Sequence, residues 1–397
     1  MNCKKRTVTS EYVSHGHPDK LADLIADSIL QEIYFQDRYA RTGIEVMVKD
    51  NTVVLGGEIT TTAKVDYETV VRSVFNHVVY PDNHHLTPDN IKIINLIGEQ
   101  SPEISAMVDK KNGVIGAGDQ GFAVGYASNE TPSYLPLGVY VAKTICQRVA
   151  GTNYPTRTLG PDAKTQVVVE YDEKGEPHIV HILVSVLHTN YSLEDTRKYV
   201  MGIITNNDKH WMDDDVYDKY FRNGDIIIDI NPYGEWKTGG PIADCGVTGR
   251  KIVVDQYGGY SNVGGGAFSG KDMSKVDRSA AYMARYIAKN IVASGFCNEA
   301  KVELSYIIGK ADPCAFNIEM DKNCDLVDHI KRFFLEKLDL SPNGIIDYFG
   351  KEGTHFSWYA RYGAFGYTDK EMLLCPFTPW EYTDLSEDLY CYLEGED

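Results

Sequence analysis

Ile44-Glu45-Val46-Met47-Val48-Lys49-Asp50-Asn51-Thr52-Val53-Val54-Leu55 is two short extended runs on either side of a polar turn. β-Branched residues fill both runs, and Lys49-Asp50-Asn51 is turn chemistry, so a hairpin is predicted. Helices are expected on both sides of it. Upstream, Pro18 is a favoured first helical residue. Leu21, Leu24, Ile25, Ile29 and Ile33 then recur at helical spacing. Downstream, a helix is expected over 67–79, with Val70, Val71, Val74 and Val78 on one side, followed by a strand over 91–97.

The same order returns twice. A helix over 136–150 is stopped by Gly151. Strands over 166–171 and 178–187 flank Glu173-Lys174-Gly175, and Ser192 with Asp195 opens a helix reaching about 204. A strand over 225–229 closes that round. The last third predicts a helix over 275–293 with Val276, Met283, Ile287 and Ile291 inward, and strands over 301–308 and 315–319. A helix over 325–338 follows, its apolar stripe formed by Leu326, Ile330, Phe333, Phe334 and Leu338, and Ser341-Pro342 opens a short one. The three rounds share a pattern and not a sequence. Hairpins in place of long crossovers imply mostly antiparallel pairing. The expected fold is α+β: three similar α/β subdomains of mixed, mostly antiparallel sheet plus helices, over 1–104, 113–235 and 236–397.

Composition narrows the function. A chain of 397 residues exceeds one ordinary core. Its net charge of -18 argues against a nucleic-acid partner and makes any local cluster of basic residues informative. The eight cysteines form no C-x-x-C pair, which suits free thiols in a reducing compartment. Lys4-Lys5-Arg6 is followed by no apolar run, and no stretch reaches membrane-spanning length, so a cytoplasmic protein is expected.

The loops between the rounds carry the chemistry. Gly264-Gly265-Gly266-Ala267-Phe268-Ser269-Gly270-Lys271-Asp272 frees the backbone for close approach to a ligand, and a helix N-terminus follows. That combination suits a polyphosphate; a plain glycine-rich turn is the alternative. Gly265 to Gly270-Lys271 has P-loop spacing, but Asp272 stands where a P-loop needs Ser or Thr for magnesium. Ser274-x-x-Asp277 also reads as a capping box. His17-Pro18-Asp19-Lys20 puts phosphate donors and a magnesium-binding carboxylate at a helix start, although Asp19 would also be favourable there as a mere charge. His15-x-His17 has no matching ligands for zinc. Gly116-Ala117-Gly118-Asp119-Gln120-Gly121 sets one carboxylate on a flexible loop. Asp162-Ala163-Lys164 begins a strand. Asp244-Cys245-Gly246 leads to Arg250-Lys251, which precede an apolar strand over 252–254. Trp236 follows the turn Pro232-Tyr233-Gly234, where it stacks on a base or enters the core.

Together these motifs resemble the S-adenosylmethionine synthetase family. The resemblance rests on Gly16-His17-Pro18-Asp19-Lys20, Gly56-Gly57-Glu58-Ile59-Thr60-Thr61, the hexapeptide at Gly116, Asp244-Cys245-Gly246 and the nonapeptide at Gly264. It runs on through Asp277-Arg278-Ser279 to Trp380-Glu381-Tyr382-Thr383-Asp384. It implies three subdomains about a pseudo-threefold axis, ATP and L-methionine as substrates, required Mg²⁺ and activating K⁺. It also implies a homodimer or homotetramer with active sites at the subunit interface. By resemblance His17, Lys164, Arg250, Lys251 and Lys271 hold the polyphosphate, Asp19 and Asp277 hold magnesium, and Glu45 belongs to the potassium site. Glu58, Gln100, Asp119, Asp244 and Lys275 hold methionine. Asp162, Asp244 and Ala267 contact adenosine, and Trp236 stacks on adenine.

Three departures stand out. Glu235-Trp236 replaces the usual basic residue and Phe, His15 replaces a usual Glu, and the loop 101–113 differs from the family's commonest gate. Two other readings compete with the synthetase: a Mg-ATP phosphotransferase with a divergent phosphate loop, and an assembly subunit without chemistry.

Overall fold

Strand β1 (Arg6–Val13) and helix α1 (Pro18–Gln36) lead into the predicted hairpin, β2 (Arg41–Lys49) and β3 (Thr52–Thr60). The two strands pair antiparallel with Lys49 opposite Thr52, and Asp50 makes the turn at φ 52°. The structure, a computed structural model, describes residues 6–99, 116–151, 159–206, 211–222, 225–350, 355–374 and 378–395. Gln100 and the loop 101–113 lie outside them.

Nine further strands follow among the described residues: β4 (Lys92–Asn95), β5 (Gly98–Glu99), β6 (Gly121–Ser128), β7 (Leu159–Tyr171), β8 (Pro177–His188), β9 (Ile227–Ile230), β10 (Gly246–Val247), β11 (Glu299–Tyr306) and β12 (Ala315–Met320). The helices after α1 are α2 (Tyr67–His77), α3 (Leu137–Gly151), α4 (Leu193–Thr205), α5 (Asp214–Tyr220), α6 (Ile252–Asp255) and α7 (Val276–Ala293). The last third adds α8 (Val327–Lys337), α9 (Pro342–Phe349), α10 (Phe356–Tyr362), α11 (Asp369–Leu374) and α12 (Ser386–Glu394).

The strands form three sheets, in the orders β1-β7-β8-β9, β10-β2-β3-β4 with β5 also on β3, and β12-β11-β6. One long helix covers each sheet: α3 lies on β7 and β1, α1 on β2 and β10, and α7 on β6 and β11. Most pairings are antiparallel, as the hairpin signals require. The exceptions are β9 on β8, and β4 and β5 on β3, all parallel.

Each of the three expected sequence segments lends a strand to the sheet of another. β1 completes the sheet of the central segment, β6 pairs with β11 of the last, and β10 returns to β2 of the first. The sequence pattern does not pick out β1 or β6. β6 is rich in Gly and Ala because it runs flush on α7. A Cβ at Gly125 would strike the backbone of Ala284.

The expected apolar stripes are buried: Leu21, Ile25, Ile29 and Ile33 of α1, and Val276, Met283, Ile287 and Ile291 of α7. Two expectations are corrected. Residues 252–254 form the helical turn α6 and not a strand. That turn brings the Asp255 N–H onto the Lys251 carbonyl (2.9 Å) and its carboxylate onto Lys20 (2.7 Å), and these contacts override β propensity. The predicted strand over 91–97 shortens to β4, and β5 follows just beyond its expected end.

Helix α7 is buried on nearly every side, polar residues included. Glu381, fully buried, meets Arg285 at 3.0 Å and Lys289 at 2.9 Å, and also accepts the Gly366 N–H. These charges are enclosed but matched.

Candidate active site

The site is built on α1. His17 is its N-cap, and the ring Nδ1 accepts the Asp19 N–H at 3.2 Å. That bond leaves the ring proton on Nε2 as a donor. Burial, with Lys164 and Lys251 nearby, pushes the His17 pKa down to about 3, so the ring is a neutral donor at physiological pH.

Three aspartates four residues apart, Asp19, Asp23 and Asp27, lie on one face of α1, and each is buried. Each accepts a backbone N–H from a loop bearing predicted cations. Asp19 takes Val247 at 2.9 Å, Asp23 takes Gly249 at 2.9 Å, and Asp27 takes Gly270 at 2.8 Å. The first two bonds fix the approach to Arg250 and Lys251. The third fixes the residue before Lys271. A Cβ at Gly246 would strike the Pro18 carbonyl, which is why glycine occupies this close approach.

Asp19 also meets Lys251 at 2.6 Å and Arg250 at 3.6 Å. Burial alone would raise its pKa, but Lys251 and the Val247 N–H outweigh burial and hold the carboxyl below its ordinary value. Across the glycine loop Lys271 pairs with Asp277. The capping-box expectation is therefore corrected. Lys275 is the N-cap of α7 without a side-chain cap bond, and the Asp277 carboxylate turns to Lys271 instead.

Asp272, the residue that breaks the P-loop pattern, has a structural task. Its two oxygens accept the N–H groups of Thr42 and Ser274, both at 2.8 Å. Gly270 sits at φ 80°, and a Cβ there would strike the Ile44 carbonyl. Glu45 lies on the same hairpin. Partial burial raises its pKa, and Lys271 and Asp23 act on it in opposite senses. Ala267 packs where Gly249 leaves room for it.

Asp162 and Lys164 sit inside β7, which begins earlier than predicted. Asp162 is buried, with one oxygen accepting the Gly240 N–H at 2.7 Å. Its other oxygen is buried without a hydrogen-bond partner among the described residues. Burial raises its pKa to about 7 despite the Gly240 N–H and Lys164. Lys164 points out of the sheet and makes no side-chain hydrogen bond among the described residues. Trp236 is half-buried and is held by His188, which exchanges bonds with its backbone, and by its own Nε1–H to the Thr238 carbonyl at 2.7 Å. Glu235, the departure noted above, pairs loosely with Lys237 at 3.8 Å.

The structure thus gathers His17, Asp19, Arg250 and Lys251 at the head of α1, and Lys271, Asp277 and Ala267 along the same helix. Glu58 faces Gly43 across the hairpin, and Gly43 bridges to Lys271. The Asp119 loop leads into β6, where Phe122 abuts Gly264. Asp119 and Asp244 are exposed and bond to the N–H groups of Gln120 and Cys245. Neither they nor Glu58 hydrogen-bonds another predicted group among the described residues. Asp23, Asp27 and Arg278 are absent from the expected set. The four-residue aspartate repeat was the available signal. A cavity of about 560 Å³ lined by Arg148, Tyr191, Tyr199 and Trp211 contains no predicted residue.

Comparison with known proteins adds to this geometry. Residues 5–102, 114–236 and 238–381 match the S-adenosylmethionine synthetase N-terminal, central and C-terminal domains. A S-adenosylmethionine synthase of Mycoplasma capricolum is 42% identical over 93% of this chain and 94% of its own length. The chain belongs to the S-adenosylmethionine synthetase family. One from Mycoplasma mycoides is 41% identical over 98% of both chains. The solved structure of an unusual S-adenosylmethionine synthetase from Campylobacter jejuni superimposes with a TM-score of 0.85 at 35% identity, covering 98% of this chain and 99% of that one. The family's fold therefore extends over nearly all of the described residues, with the cation loops seated on α1.

Proposed function

We propose that this protein joins ATP to L-methionine, forming S-adenosylmethionine. The methionine sulfur attacks the ribose C5′, the C5′–O bond breaks, and the triphosphate leaves with the electron pair. The tripolyphosphate is then hydrolysed to pyrophosphate and phosphate. A thioether is already nucleophilic, so no general base is needed. The work is alignment and stabilisation of charge on the leaving group.

The observation that carries this reading is the pinning of Arg250, Lys251 and Lys271, on two loops, to one face of α1 beside the neutral donor His17. With Lys164 these groups hold the polyphosphate. Asp162 and Ala267 hold the adenosine, Trp236 stacks on adenine, and Glu58, Gln100, Asp119, Asp244 and Lys275 hold methionine. Asp19 and Asp277 are the carboxylates for Mg²⁺. No group of three or more His, Cys, Asp or Glu side chains gathers as a metal cage among the described residues. That fits magnesium, which takes one or two carboxylates together with phosphates and water. When bound, the ion neutralises developing phosphate charge. Glu45 serves K⁺. The segments 1–104, 113–235 and 236–397 are the subdomains. The protein works in the cytoplasm as a homodimer or homotetramer whose sites lie between subunits.

The test is incubation with ATP, L-methionine, Mg²⁺ and K⁺. S-Adenosylmethionine with both pyrophosphate and phosphate is expected. ADP as product would favour a phosphotransferase, which Asp272 already disfavours because both its oxygens are committed to backbone N–H groups.

A further inference from the structure

Asp27 is fully buried, yet its bonds lead to Lys271, which is half-buried. Its Oδ2 meets Arg278 Nη2 at 2.6 Å, and its Oδ1 accepts the Gly270 N–H at 2.8 Å. Arg278, also buried, uses Nη1 to donate to the Lys271 carbonyl at 2.9 Å. The backbone before and after Lys271 is thus held by a single ion pair. The Gly270 carbonyl is held as well, by Thr42 Oγ1 at 3.0 Å and the Ile44 N–H at 3.1 Å. A buried ion pair is a poor source of net stability, because desolvation offsets attraction. Its value here is geometric.

We infer that Asp27 is a positioning residue for the chemical step. Acting through Arg278 and the Gly270 N–H, it fixes Lys271 against the departing triphosphate. This rests on the function proposed above. Burial holds the Asp27 pKa above its ordinary value, although Arg278 and the Gly270 N–H pull it down.

Asp27→Asn keeps the shape and an acceptor for Gly270 but removes the charge facing Arg278. Product formation should fall in kcat by about tenfold or more, with the KM for L-methionine within about twofold. In a Lys271→Ala background the same substitution should cost less than about twofold, because the group it positions is gone. A residue that only supports the fold would give the same fold-loss in both backgrounds, and that additivity would overturn the inference, as would an unchanged kcat. If Asp27→Asn does not fold, Arg278→Lys serves in its place. It keeps the buried charge but cannot span the Asp27 carboxylate and the Lys271 carbonyl together, and the same non-additivity is expected. Wild-type protein without synthetase activity would defeat the proposed function; an active wild type with a neutral Asp27→Asn would defeat only this inference.

Discussion

Replacing Asp162 by Asn should make the protein more stable and a poorer enzyme. The carboxyl is buried, with one oxygen unpaired among the described residues, and its pKa rises from the ordinary 3.8 to about 7. A carboxyl harder to ionise when folded destabilises the fold wherever it is ionised. Below the unfolded value both states are protonated and nothing is lost. As pH rises from about 4 to 7 the unfolded chain ionises first and stability falls, and above 7 the loss is complete. About three pKa units correspond to about 4 kcal/mol in full, and to about 2 kcal/mol at pH 5.5. Asn mimics the uncharged acid and still accepts the Gly240 N–H. Urea denaturation of both proteins should show Asp162→Asn ahead by up to about 4 kcal/mol at pH 8.5, with the gap roughly halved at pH 5.5. If Asp162 holds the adenosine as proposed, the KM for ATP should rise meanwhile. A stability gap independent of pH, or a variant less stable at pH 8.5, would refute the argument.

Other outcomes follow from the same contacts. Glu381→Ala strands Arg285 and Lys289 in the core and should cost about 3–5 kcal/mol, read as a large drop in the thermal midpoint; Glu381→Gln should cost less. Gly266→Ala puts a Cβ into the Asp277 side chain, so it should cut turnover by about tenfold or more while circular dichroism stays native. Trp236→Ala should raise the KM for ATP by roughly tenfold through lost stacking, with kcat little changed in steady-state assays.

Much of this was legible in the sequence because local rules acted alone. The hairpin at Asp50, the stripe of α1 and the Ser341 cap on α9 each depend on a few neighbouring residues, and each formed as the pattern predicts. The misreadings came where distant partners decided. Three β-branched residues at 252–254 coil into α6 because Lys20 draws in Asp255. Asp277 forgoes its cap because Lys271 lies across the loop. β6 looks too small to be a strand until α7 is laid on it. At the site, the groups carrying charge were readable from their motifs. The groups holding them, Asp23, Asp27 and Arg278, were not, since a buried charged side chain looks in sequence like any surface one.

The strand exchange among the three sheets has a consequence for how the protein is made. β1 emerges from the ribosome about 150 residues before β7, the strand it pairs with. At about 5–20 residues per second that is a wait of roughly ten to thirty seconds. β6 waits longer still for β11, and β2 for β10. No nascent fragment ending before β10 can finish the sheet that holds the hairpin, so a ribosome stalled midway carries open edges. Such a chain calls for a chaperone during translation, and its three segments should not survive expression one at a time.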